Sequence, residues 1–161
     1  MSEESKKERE EFLEFPYTMV IPTRFATGPC MGKFLTELRD NKRILGNVCP
    51  QCNRTMLPPR IMCAECHCEV GADFVELGPR GTVITYDVVF VPFINPLTGK
   101  PREVPYTTAF ILLDGGNTTF FHFLQETDPA KLRVGMRVEA VFREERRGDA
   151  TDILYFKTVE G

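Results

Sequence analysis

The sequence predicts a mainly β fold with one amphipathic helix near its N-terminus, a cysteine-rich ribbon and a five-stranded barrel. Three observations carry this. Apolar residues recur at helical offsets between residues 33 and 44, five of the six cysteines fall within twenty positions as two C-x2-C pairs and one more, and the chain beyond residue 80 holds five runs of period-two alternation. The 161 residues suit one domain with a small appendage, and 42% hydrophobic composition with 13 Phe suffices for a real core. No apolar run approaches the roughly 20 residues of a membrane span. The N-terminus, MSEESKKEREEFLEF, lacks the apolar stretch of a secretory signal, so the expected location is cytoplasmic. A net charge of −3 argues against a chain that lives on nucleic-acid phosphates, and two His leave little for histidine catalysis.

Taken in order, residues 1–14 hold six Glu and three Lys or Arg, and read as a solvated tail. Residues 15–31 carry three Pro, which favour extended chain that follows a surface, so 1–32 is expected to be tail plus arm. Phe34, Leu35, Leu38 and Leu45 then mark the apolar stripe of a helix from about Lys33 to Ile44, with Gly46 as its stop, closing a segment 33–46. Residues 47–77 form the ribbon. The barrel, 78–161, is built from runs 81–93, 106–113, 118–126, 136–144 and 153–159, rich in β-branched and aromatic residues. Turn chemistry separates them, including Asp114-Gly115-Gly116-Asn117 and an Asp128-Pro129 cap. Five strands, the second and third joined by a tight Gly-rich hairpin, point to an OB-fold barrel.

Cys49-Pro50-Gln51-Cys52 and Cys63-Ala64-Glu65-Cys66 are the specific signal. Two residues between thiolates let one turn aim both sulfurs at a single ion, and a second turn completes the tetrahedron that Zn²⁺ prefers in structural sites. Thiolate softness also admits iron, with zinc ahead. Cys66 is the preferred fourth ligand; His67 and Cys68 are the alternatives. A catalytic zinc keeps an open position, whereas four thiolates close the site, so the ion is expected to be structural and no catalytic residue is assigned. Cys30 reads as a small buried hydrophobe. His122, in Phe120-Phe121-His122-Phe123, has two readings: part of a ligand-binding face, or a partly buried sheet residue, the second being favoured. Alternation places Phe120 and His122 on one face and Phe121 and Phe123 on the other. Arg143, Arg146 and Arg147 sit beside Glu144 and Glu145, a mixed-charge turn and not a basic stripe.

The ordered set Cys49-Pro50-x-Cys52, Pro58-Pro59-Arg60, Cys63-x-x-Cys66, Gly81-Thr82-Val83, Pro105-Tyr106 and Gly135-Met136-x-Val138 resembles the OB-fold family with a rubredoxin-like zinc ribbon, domain of unknown function thirty-five. The resemblance spans roughly residues 33–159, with two departures: Asn53 where Gly often follows a knuckle, and the extra His67-Cys68. It implies a non-catalytic subunit bound to a thiolase-fold enzyme, as a heterotetramer, helping to bind or pass acyl-CoA. Within the family the chain looks similar to small subunits of benzoylsuccinyl-CoA-type thiolases. If CoA touches this chain, Arg60 and Arg80 are the candidates for its phosphates, against the plainer reading of surface arginines at turns. The alternative function is a nucleic-acid-binding ribbon and OB module.

Overall fold

The computed structural model describes residues 26–94 and 99–160. Residues 1–25, which include the expected tail and most of the arm, lie outside the described residues. Helix α1 spans Gly28–Asn41, so the last residues of the expected arm, Gly28–Met31, are its first turn. Pro29 explains the early start: its fixed φ suits the first helical turn, where no N–H partner is needed. Glu37 braces the helix from within, accepting from Lys33 Nζ and Asn41 Nδ2, each at 2.8 Å. These bonds, Lys33's first, hold its carboxyl below the usual glutamate range.

The helix ends before the predicted Ile44. Lys42 adopts a left-handed conformation (φ 55°) and returns its N–H to Glu37 O, a glycine-type termination made by a lysine. Gly46, the expected stop, lies instead within strand β1 (Ile44–Val48). A Cβ there would sit 2.9 Å from Met56 O and 3.0 Å from Thr55 Cγ2, so glycine is required for close strand approach rather than for helix termination. β1 is the centre of a three-stranded sheet, flanked by β2 (Thr55–Met56) and β3 (Phe74–Leu77), both antiparallel to it.

Five further strands close a barrel: β4 (Arg80–Val89), β5 (Tyr106–Leu113), β6 (Thr119–Leu124), β7 (Arg137–Phe142) and β8 (Ile153–Thr158). Their order is β4-β5-β6-β8-β7, with β7 paired back to β4 and β8 parallel to β6 at Leu124 and Phe156. This is the five-stranded Greek-key barrel that the period-two runs predicted. Asp128 accepts from Ala130 N at 3.0 Å and caps a turn between β6 and β7, as expected of Asp-Pro.

One continuous apolar core unites helix, sheet and barrel. Phe34 and Leu38 of α1, Ile44 and Leu45 of β1, and Val83, Ile111 and Phe156 of the barrel are all buried in it. Phe34 meets Phe120 edge-on, ring centroids 6.5 Å apart. The barrel also grips the sheet by its edge. Asn117 and Thr118, in the β5–β6 hairpin, behave as a short extra strand beside β2: Thr55 N donates to Asn117 Oδ1 (2.9 Å) and Asn117 N to Thr55 O (3.0 Å). The Thr118 hydroxyl accepts from Leu57 N (2.7 Å) and donates to Leu57 O (3.0 Å). At the other side, Arg146 donates through Nε to Arg39 O at 2.6 Å, closing the C-terminal end of α1. Its loop is tied by buried Asp152, which accepts from Arg147 N and Gly148 N, both at 2.7 Å.

His122 is buried on the inner face with Phe120, as alternation required, while Phe121 is 54% exposed. Its Nε2 lies 3.2 Å from Ala150 O, to which the neutral ring donates. Burial pushes its pKa below the ordinary 6.5, with backbone hydrogen bonds to Ala150 and Phe123 pulling the other way. The unfolded chain therefore takes up a proton at higher pH than the folded chain. The stability tied to His122 is complete above about pH 6.5 and drains as pH falls through that value. We expect His122→Gln to flatten the decline in melting temperature between pH 7.5 and 5.5, a window above the ordinary carboxylate range of roughly 4. Equal slopes in the two proteins, measured by calorimetry, would refute the assignment.

Candidate metal centre

Both cysteine pairs sit in turns of the same construction. In the first, Cys49 N donates to Arg54 O (2.9 Å) and Asn53 N to Cys49 O (2.9 Å), with Asn53 at φ 56°. In the second, Cys63 N donates to Cys68 O and His67 N to Cys63 O, both at 3.0 Å, with His67 at φ 54°. Asn53 and His67 therefore hold equivalent positions: each supplies the left-handed residue that turns the chain back after its second cysteine. Asn and His are among the non-glycine residues that tolerate this conformation best. His67 thus serves the turn of its knuckle and is not one of the four side chains gathered between the knuckles.

The knuckles face each other. One sulfur from each of Cys49, Cys52, Cys63 and Cys66 lies within 4.8 Å of all the others, and among the described residues this is the one group of metal-ligating side chains so gathered. Cys52 Sγ and Cys63 Sγ are 3.8 Å apart. A tetrahedron with zinc–sulfur bonds of about 2.3 Å has edges of about 3.8 Å, so the Cys52–Cys63 separation matches one edge of such a site. Cys68 Sγ lies 3.5 Å from Cys49 Sγ but outside the close group of four, beside the centre rather than in it.

The sulfurs oppose one another's ionisation. The backbone N–H groups of Cys52 and Gln51 draw Cys49 down to about 6, so it is a thiolate at neutral pH. Hydrogen bonding to the Cys52 sulfur, then desolvation, pushes Cys66 up to about 12. Four negative sulfurs cannot share this space unaided; a divalent ion lets all four ionise together. Around them is only a small dry cluster of Met56 and Val70 with Cys49 and Cys63. Four close cysteines can hold a metal ion here, and their geometry is compatible with a closed structural zinc site.

Asn47, fully buried, is a residue that the motif search passed over. Its Nδ2 donates to Arg60 O (2.7 Å) and its Oδ1 accepts from Arg60 N (3.1 Å), copying a strand pairing with one side chain. The Pro58-Pro59-Arg60 segment is thereby fixed against β1, and the Arg60 side chain projects with no ion-pair partner among the described residues. Arg80 opens β4 and pairs with Glu139 across the strands, Nε to Oε2 3.4 Å. Cys30 is buried in α1, the small hydrophobe expected.

Over 128 residues the chain is 30% identical to a DUF35 domain-containing scaffold protein of Methanocaldococcus jannaschii, covering 77% of this chain and 87% of that one. The chain belongs to the DUF35 family. Residues 74–143, from β3 through β7, match the family described as ChsH2, C-terminal OB-fold domain. A solved structure described as the Ltp2-ChsH2(DUF35) aldolase superposes on this DUF35 chain with a TM-score of 0.60 and 26% identity, covering 84% of this chain and 98% of that one. A DUF35 crystal structure of unknown function from Sulfolobus solfataricus, 19% identical, shares the fold at a TM-score of 0.58 over 82% of this chain and 85% of its own. Among the described residues of this DUF35 protein, no helix is long and apolar enough to cross a membrane.

Proposed function

We propose that this chain is a non-catalytic, zinc-holding subunit of an enzyme complex acting on acyl-CoA thioesters, of the thiolase type. The observation that carries the reading is the closed set of four thiols, which leaves an ion no open position for substrate, in a fold that matches the ChsH2 side of an aldolase complex. In this reading the ribbon and barrel position a thiolase-fold partner, two of each chain, and the partner supplies the reacting groups. Thiolases of anaerobic aromatic degradation, of the benzoylsuccinyl-CoA type, are the enzymes we name for it. Arg60, held stiff by Asn47 and free of an acidic partner among the described residues, is the better placed of the two CoA-phosphate candidates. Arg80 is already engaged by Glu139.

Co-expression with a thiolase-fold subunit encoded beside it, followed by native mass spectrometry and a thiolysis assay, tests this. The expected result is a two-plus-two complex that is active where this chain alone is not. Arg60→Ala in the complex should raise KM for the CoA ester several-fold with kcat little changed, because a phosphate contact binds substrate and transition state alike. A chain that ignores the enzyme subunit, but binds oligonucleotides with steep salt dependence, would overturn the reading in favour of a nucleic-acid module.

A further inference from the structure

A cleft of about 280 Å³ lies between β6 and the loop that joins β7 to β8, with no cysteine among its lining residues. Phe121, Phe123, Ile153 and Leu154 give it apolar walls, and Phe121 and Leu154 are 54% and 41% exposed there. Two guanidinium groups stand in the lining, those of Arg102 and Arg143. Arg102 lies over the Phe123 ring, 4.1 Å from its centroid, and 5.3 Å from that of Tyr106. Arg143 is steered by its Nε–H bond to Thr151 O, 2.6 Å. Neither forms an ion pair with a carboxylate of the described residues, although the surface elsewhere pairs arginine with acid at Arg39, Arg43, Arg54, Arg80 and Arg137. Among the described residues, no acidic side chain lines the cleft. His122 shows it a neutral ring, held by burial and by its bond to Ala150 O.

Two cations beside apolar walls, with no carboxylate of the described residues to answer them, select for a ligand that is anionic at one end and apolar at the other. We infer that this cleft binds a small organic carboxylate on a flat apolar body, such as an aromatic acid. The carboxylate lies between Arg102 and Arg143, where a guanidinium fork matches its two oxygens, and the ring lies against Phe121 and Leu154. The size is near the lower end of small-molecule sites, roughly 300–1,000 Å³, which suits one ring and excludes a nucleotide. A free phosphate would find the two cations but leave the apolar wall wet. The site belongs to this chain alone and needs neither the metal nor a partner subunit.

The experiment is a titration of the full-length chain with benzoate, followed by amide and arginine side-chain NMR. Saturable shifts are expected at Phe121, Phe123, Thr151 and Leu154 and at the Arg102 and Arg143 Nε–H groups. Benzamide, the neutral isostere, should bind at least roughly tenfold more weakly, since it forgoes the charge-assisted contact with the guanidinium groups. Arg102→Gln and Arg143→Gln should each weaken benzoate by a similar factor while amide shifts across the barrel stay in place, showing that the fold is kept. Inorganic phosphate should leave Phe121 and Leu154 unmoved. Equal binding of benzoate and benzamide, displacement of benzoate by equimolar phosphate, unchanged affinity in the Arg102→Gln/Arg143→Gln double variant, or no saturable shift at these residues would each overturn the assignment.

Discussion

Cys63→Ser should yield a chain that no longer holds metal and whose knuckles, within residues 49–70, have lost their fixed structure. Wild-type protein should carry one zinc per chain by elemental analysis. The expectation rests on how little else holds the knuckles. Their dry cluster amounts to Met56 and Val70 with two of the cysteines themselves, so an ion bound by the four thiolates would be the core of this region. Apparent zinc-binding free energies at structural sites of this kind are about 10–16 kcal/mol near neutral pH, and that energy is folding energy where no site exists in the unfolded chain. Chelation should therefore act like the substitution, visible as collapse of the amide dispersion of Cys49–Val70. Cys68→Ser, by contrast, should keep its zinc, since the Cys68 sulfur sits beside the group of four. If Cys68→Ser loses metal and Cys66→Ser retains it, the fourth ligand has been misassigned.

The second large effect is expected at Phe34. Its ring is 1% exposed, packs edge-on to Phe120, and belongs to the cluster that joins helix, sheet and barrel. Truncation removes the buried area and leaves a void that three separate elements must collapse to fill, so Phe34→Ala should destabilise by about 3–5 kcal/mol. Urea denaturation measures it. Ile61→Ser, on a side chain 60% exposed, is the control and should shift stability by less than about 0.5 kcal/mol. A loss at Phe34 no larger than at Ile61 would mean that α1 is peripheral to the fold.

Much of this architecture was legible because its signals are local. Each barrel strand is bounded within a few residues by period two and turn chemistry, and the knuckle pairs announce themselves by spacing. The burial of Phe120 and His122 against the exposure of Phe121 follows from alternation alone. What escaped was set by partners far along the chain. Gly46 reads as a helix stop in sequence and is a strand residue because Met56 O approaches it. Asn47 looks like any loop asparagine until Arg60 lies opposite. Arg146 looked like a solvated charge and instead closes a helix more than a hundred residues earlier. The start of α1 was within reach, since Pro29 is the residue that opens helices, but three prolines in one segment outweighed it. Arg102 and Arg143 could not have been paired from sequence, because their common cleft exists only once the barrel closes.

The hold of the β5–β6 hairpin on β2 has a mechanical meaning. Thr55, Leu57, Asn117 and Thr118 exchange four hydrogen bonds in two directions, as a strand pair would, and the shared core fills the space behind them. Such a joint resists bending and sliding alike, so the cysteine-bearing ribbon and the barrel move as one piece. A large neighbour that grasped the ribbon would thereby fix the attitude of the barrel relative to itself, with no further contact needed to aim it. For a protein whose relatives are described as scaffolds, a fixed relation between ribbon and barrel is a property from which alignment of other chains could be built.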